Sequence, residues 1–215
     1  KRPVIYTGGG VVQGNASAQL TELAHILGFP VTNTLMGLGA FPGNDPQFIG
    51  MLGMHGNLGP NLKTNECDVL IAIGMRFDDR VTGNLKTYAK QAKIIHFDID
   101  PAEVDKNVKT TVAVLGDCKE TLAAVTELLE KNNHREWRDS FLPCEEKEYE
   151  AVVEKEIHPK EGQITMGEVV HAVSEATNHQ AVLVTDVGQN QMFAARYFKF
   201  SQKRSMVTSG GLGTM

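Results

Sequence analysis

Two arginines and two aspartates crowd the stretch Gly74-Met75-Arg76-Phe77-Asp78-Asp79-Arg80-Val81-Thr82-Gly83. Arginine grips a phosphate through two parallel N–H bonds, and carboxylates orient the arginines or accept ribose hydroxyls. A surface ion-pair cluster is the competing reading. Near the start, Gly8-Gly9-Gly10 lets the backbone approach a pyrophosphate, and the helix after it offers free N–H groups and a positive dipole end. The run does not continue as G-x-G-x-x-G, because position 13 is Gln and the next glycine is Gly14. A structural tight turn explains it equally well. Leu52-Gly53-Met54-His55-Gly56 sets an imidazole between glycines with a thioether that packs on flat rings. A merely hydrogen-bonded loop histidine is the plainer alternative.

The elements that would position these residues alternate strand and helix. Pro3-Val4-Ile5-Tyr6 is a short apolar strand that enters the triple glycine. Leu20, Leu23, Ala24 and Leu27 then recur at i, i+3, i+4, i+7, the spacing of an amphipathic helix. Gly28 and Pro30 end it, and Val31 to Leu35 is read as the next strand. Continuous apolar strands follow at Val69 to Ile73, Ile94 to Ile99 and Val112 to Leu115. Each ends in a polar or glycine cluster, as buried parallel strands with functional loops at their carboxyl ends would. The pattern predicts an α/β fold, a parallel sheet of about six strands with flanking helices. At the end of the second strand stand Thr32, Asn33 and Thr34, so the acid that holds a nicotinamide ribose is missing.

A helix carrying Leu122, Val125, Leu128 and Leu129 on one face is predicted to close this unit near residue 133. Residues 134–162 are charged, and Glu145-Glu146-Lys147-Glu148 with Glu154-Lys155-Glu156 reads as an exposed helical connector, a solvated face. Thr165-Met166-Gly167-Glu168 is a capping box, leading into Met166, Val169, Val170 and Val173 at helical spacing. A second unit, 163–215, then holds strands at Ala181 to Val187 and Ser205 to Thr208 and a helix at Asn190 to Phe198.

With 41% hydrophobic and 22% charged residues the chain builds a core and is not disordered. Twenty-one basic residues, scattered against 26 acidic ones, make no nucleic-acid stripe. No apolar run approaches a membrane span and no charged-then-apolar leader opens the chain, so a cytoplasmic location is expected. Cys67, Cys118 and Cys144 lack any paired spacing and read as free thiols. Both ends read as interior to a longer protein: Lys1 runs almost at once into a strand, and Met215 falls inside a glycine-rich loop.

Four segments, Leu52 to Gly56, Arg76 to Gly83, Gly188-Gln189-Asn190-Gln191-Met192 and Thr208 to Met215, resemble in order and spacing the catalytic subunit of the acetohydroxyacid synthase (acetolactate synthase) family. The Arg76–Gly83 run is the most specific of them. The resemblance implies FAD, extended across a middle domain of residues 1–133 in a structural rather than redox role. It sets Gly8, Gly9 and Gly10 against the diphosphate and ribityl chain, and Thr34, Leu35, Leu52, Gly53, Met54 and His55 along the route to the flavin ring. Gly74, Met75, Arg76, Asp78, Arg80 and Val81 form the next wall, Asp98 and Ile99 meet the adenosine ribose, and Asp117 and Cys118 the adenine. In the family the arginine matching Arg80 also faces the second 2-keto acid.

For the second unit, the opening of a thiamine-diphosphate-binding domain, the resemblance implies that Val187, Gly188, Gln189 and Asn190 receive thiamine diphosphate, with Gly213 and Met215 beside its thiazolium. Relatives often carry His where this chain has Asn190, and an amide donates but cannot become cationic. Gln191, Met192 and Gly210 would reach the flavin. No catalytic residue and no metal ligand falls within the chain: the ligands of Mg2+ are expected beyond Met215, and the glutamate that activates the cofactor before Lys1. The implied reaction decarboxylates pyruvate and joins the product to pyruvate or 2-ketobutyrate, in branched-chain amino-acid biosynthesis. The implied partners are a second catalytic subunit and a small regulatory subunit, and this stretch alone is expected to be inactive. Rival readings are a related decarboxylase or oxidase with a redox flavin, a nucleotide-binding module without catalysis, and a nicotinamide dehydrogenase.

Overall fold

The computed structural model describes residues 1–210. In chain order the first unit consists of β1 (Pro3–Thr7), α1 (Gly9–Gln13), α2 (Ser17–Leu27), β2 (Val31–Asn33), β3 (Phe48–Met51), α3 (Leu58–Lys63), β4 (Val69–Ile73), α4 (Asp79–Thr82), β5 (Lys93–Asp98), β6 (Val112–Leu115) and α5 (Cys118–Thr126). Its six strands form one sheet in the order β3-β2-β1-β4-β5-β6, every pairing parallel. The α/β class and the six-stranded parallel sheet are those expected from the alternating pattern.

Strand alternation divides the core. Val4, Tyr6, Leu70 and Ala72 point to one face, with Phe77, Trp137 and Phe141. Ile5, Ile71 and Ile73 point to the other, with Val11, Leu20 and Leu23 from the first two helices and Leu122 from α5. Successive residues of β1 and β4 therefore feed opposite layers, as a sheet covered on both sides requires.

Three local readings are corrected. Strand β3 escapes the apolar pattern because Gly50, at φ +98°, interrupts a four-residue run. Strand β2 stops at Asn33 rather than Leu35, since the Thr34 hydroxyl accepts from the Gly37 amide (2.9 Å) and starts a 3-10 turn, Leu35–Gly37. Helix α5 ends at Thr126, whose hydroxyl bonds back to the Leu122 carbonyl (2.7 Å), leaving Leu128 exposed beyond it.

The remainder consists of α6 (Arg135–Asp139), α7 (Leu142–Glu148), a π-helical turn (Tyr149–Val153), α8 (Glu154–Ile157), α9 (Met166–Ala176), β7 (Leu183–Thr185), α10 (Gln189–Tyr197) and β8 (Met206–Thr208). Strands β7 and β8 pair in parallel. The capping box forms at its N-cap, where Thr165 Oγ1 accepts from the Glu168 amide (3.1 Å). The charged stretch is helical, but a wholly solvated face is not what it presents. Trp137 is buried and donates from Nε1 to the Pro3 carbonyl (2.8 Å), Phe141 is fully buried beside it, and Glu148 is buried against Arg196. Charge density hides these three because one turn of a short helix suffices to bury each. A third cluster, Leu38 and Met51 with Ala195, Phe198 and Phe200, seats α10 on the first unit. Among the described residues no helix is long and apolar enough to cross a membrane.

Candidate functional site

In an all-parallel sheet the carboxyl ends of all strands share one edge, so the loops that follow them meet there. Here the strand order reverses between β1 and β4: the chain lays β2 and β3 on one side of β1, then β4, β5 and β6 on the other. A crevice of about 680 Å³ opens at this switch point. It runs from the loop after β2 to the loop after β6, five neighbouring strands at about 4.8 Å spacing, hence roughly 19 Å. A larger but shallower groove, 840 Å³ along α2 beside Lys131 and Lys203, meets one strand-end loop, at Gly39, Ala40 and Pro42, rather than several and is not taken as the site.

The crevice brings together Gly8, Gly9, Gly10, Thr34, Leu35, Gly74, Met75, Arg76, Asp78, Arg80, Val81, Asp98, Ile99, Asp117, Cys118 and, from the far unit, Gly210. Gly9, Arg76 and Asp98 thus share one groove. The rest lie elsewhere. Leu52 and Gly53 are buried beside the wall, where the Met54 amide donates to the Arg80 carbonyl (2.8 Å), while the Met54 and His55 side chains are exposed. Val187, Gly188, Gln189 and Asn190 are all exposed: Gly188 is the N-cap of α10 at φ +139°, and Gln189 and Asn190 open that helix. Gln191 is buried and donates to Thr208 Oγ1 (2.7 Å), tying α10 to β8, and Met192 follows it on the helix. Gly213 and Met215 lie outside the described residues.

The triple glycine has two physical reasons. A Cβ on Gly8 would stand 2.4 Å from the Gly74 carbonyl oxygen, and one on Gly10 2.7 Å from Gly74 Cα, so these two serve the close approach of two backbones. On Gly9 it would meet Met36 at 3.3 Å, on the crevice side. Both readings of the run therefore hold, at different positions.

Charge in the crevice is arranged by local bonds. Asp78 caps α4 by accepting from the Arg80 amide (3.1 Å), and its other oxygen pairs with the Arg76 guanidinium (2.8 Å). Burial raises the Asp78 carboxyl, but the Arg80 amide, the bond with Asp79 and the Arg76 charge outweigh it and hold the group below the usual carboxylate range. Both arginine side chains remain largely exposed, free to meet an anion. Burial, with Asp117 and Asp98 nearby, pushes the Cys118 thiol up to about 11, so it is no nucleophile at neutral pH. Asp98 and Asp117 stand at the ends of β5 and β6, whereas β2 ends in buried Thr32 and Asn33. Among the described residues the crevice acids Asp78, Asp98, Glu103 and Asp117 stand at or after the ends of β4, β5 and β6 and none follows β2, opposite to the nicotinamide arrangement.

Sequence reasoning missed Tyr6, Gln13, Gly14, Met36, Phe77 and Glu103, all of which line the crevice. Gln13 and Gly14 follow Gly9 and Gly10 by four residues, so helical spacing could have found them. Met36 and Ile99 line it with side chains 49% and 69% exposed, apolar surface that a flat ring would cover. Among the described residues no cluster of three or more His, Cys, Asp or Glu could hold a metal ion.

Residues 1–125 match the family described as thiamine pyrophosphate enzyme, central domain. The chain belongs to that family. Along its whole length it is also similar to the acetolactate synthase large subunits of Buchnera aphidicola subsp. Schizaphis graminum (41% identical over 219 residues) and Haemophilus influenzae (42% over 216). A probable acetolactate synthase large subunit of Methanocaldococcus jannaschii is 43% identical over 220 residues. The chain spans 38%, 38% and 37% of these relatives' own lengths. In this central domain the switch-point crevice is the site that the strand-end residues build.

Proposed function

We propose that this chain is a section of an acetolactate synthase large subunit whose crevice binds FAD. It comprises a middle domain (1–133), a linker (134–162) and the opening of the thiamine-diphosphate-binding domain (163–215). The observation that carries the reading is likeness to acetolactate synthase large subunits from end to end of the chain. The crevice supports it: elongated, glycine-floored, with exposed arginines at mid-length and acids on the β5–β6 half.

Residues fit the flavin nucleotide in order. Gly9 allows the diphosphate to approach the backbone, and Arg76 supplies charge to it. Asp98 and Ile99 meet the adenosine ribose, Asp117 and Cys118 the adenine, and Met36 with the Leu52–His55 loop borders the flavin end. Arg80, exposed on the crevice wall, also attracts the carboxylate of the second 2-keto acid. The Val187–Asn190 segment receives the diphosphate of thiamine diphosphate. When bound, thiamine diphosphate supplies the carbanion chemistry that decarboxylates pyruvate and joins the product to a second 2-keto acid. The Mg2+ ligands lie outside these residues. The whole enzyme works in the cytoplasm, as a pair of catalytic subunits or a larger assembly, with a small regulatory subunit.

Equilibrium titration with FAD, followed by quenching of flavin fluorescence, tests the cofactor, with NADH as the control. The full-length protein is expected to saturate with FAD alone, this chain only weakly, and the full-length protein to form acetolactate from pyruvate when given thiamine diphosphate and Mg2+. Saturation by NADH instead, or a pyruvate assay without acetolactate, would overturn the reading.

A further inference from the structure

The arginine-bearing turn lies just past the end of β4, where sheet hydrogen bonding runs out. The Gly74 amide still reaches the Phe97 carbonyl of β5 (2.8 Å), the last main-chain tie to the neighbouring strand. The next three carbonyls accept no main-chain bond, and side chains capture all of them. His96, fully buried, donates from Nε2 to the Met75 carbonyl (2.8 Å). Asn107 donates from Nδ2 to both the Arg76 carbonyl (3.3 Å) and the Phe77 carbonyl (3.1 Å).

These bonds matter because the turn is not one a bulky residue adopts by itself. Phe77 sits at φ +50°, in the left-handed region that disfavours large side chains. Its ring is held in edge contact with His96, Tyr88 and Tyr6, at centroid distances of 5.2, 6.3 and 6.5 Å. The ring fixes Phe77 from within the core, while Asn107 fixes its carbonyl from outside. The Asn107 loop is itself braced, because the Asp105 carboxylate accepts from both the amide and the hydroxyl of Thr110 (2.7 and 2.8 Å).

We propose that Asn107, which does not line the 680 Å³ crevice, is a positioning residue for it: its amide sets the Arg76–Phe77 backbone so that Arg76, Asp78 and Arg80 face the bound nucleotide. The inference rests on the reading of the crevice as an FAD site. It goes beyond the binding residues because Asn107 acts only through the backbone that carries them. Being exposed, it is also replaceable without opening the core.

The test uses the full-length protein and its Asn107→Asp and Asn107→Ala variants. Asn107→Asp keeps the size of the side chain but puts a carboxylate against two carbonyls, and Asn107→Ala removes the donor alone. Three readouts are compared: the FAD dissociation constant, the thiamine diphosphate concentration for half-maximal activity, and the unfolding temperature of the FAD-free protein. The expected result is FAD binding weakened roughly tenfold by Asn107→Asp and severalfold by Asn107→Ala, with the other two readouts unmoved. FAD binding equal to that of the unaltered protein in both variants overturns the proposal. So does a loss of FAD binding matched by a fall in unfolding temperature, which marks a merely structural residue. If the unaltered protein itself fails to saturate with FAD, the FAD reading falls and takes this inference with it.

Discussion

A Cβ built on Gly74 would lie 2.8 Å from the Cα of Gly10, so the loops after β4 and β1 touch backbone to backbone at the base of the crevice. Gly74 also has φ +58°, a conformation that L side chains resist. Gly74→Ala is therefore expected to lower stability by about 3 kcal/mol, from overpacking plus a left-handed alanine. A urea unfolding curve measures this, and a change under about 0.5 kcal/mol would mean that the two loops part easily.

Acid should loosen the arginine-bearing turn through Asp78. Its folded pKa lies below the unfolded value of about 3.9, so its stabilising contribution is complete above that value and is lost as pH falls through the folded one. Carboxyl titration by NMR should find the Asp78 midpoint below 3.9, and Arg76→Ala should move it upward. A midpoint indifferent to Arg76→Ala would remove the ion pair from the account.

Glu148 is buried and accepts from the Leu58 amide (3.0 Å), the Asn57 side chain (3.4 Å) and Arg196. It joins the charged helices to α3 and α10. Glu148→Ala leaves Arg196, whose side chain is only 21% exposed, without its counter-charge and is expected to cost about 2–4 kcal/mol. Asp139→Ala, which breaks the exposed Arg135–Asp139 pair, should cost less than about 0.5 kcal/mol. Equal midpoints for the two variants in urea would contradict the difference in burial.

Thiol reactivity should separate the cysteines. Burial, with Asp68 beside it, pushes Cys67 up to about 12, and Cys118 stands at about 11. Cys144 is only half-buried. At pH 8 a disulfide reagent is expected to label one thiol quickly, Cys144, and the other two only after denaturant. Rapid labelling of Cys118 in the native protein would show that the crevice wall opens.

The amino-acid sequence alone determined the class of fold and most of the chemistry. Continuous apolar runs such as Val69–Ile73, short, rich in β-branched residues and closed by a glycine, read as strands covered on both faces, and the glycines, arginines and aspartates that follow such runs are legible because run length and turn chemistry are local properties. Tertiary structure decided which of those residues meet. The reversal of strand order at β1 and β4 draws Gly9, Arg76 and Asp98 to one groove and leaves the His55 side chain outside its lining. It also set the partners of Glu148 and Asn107, which no periodicity encodes, since each bonds to carbonyls, amides or charges about 30 to 90 residues away along the chain. Such long-range pairings follow from the packing of whole elements, and a side chain's neighbours across a core are not written in its neighbours along the chain.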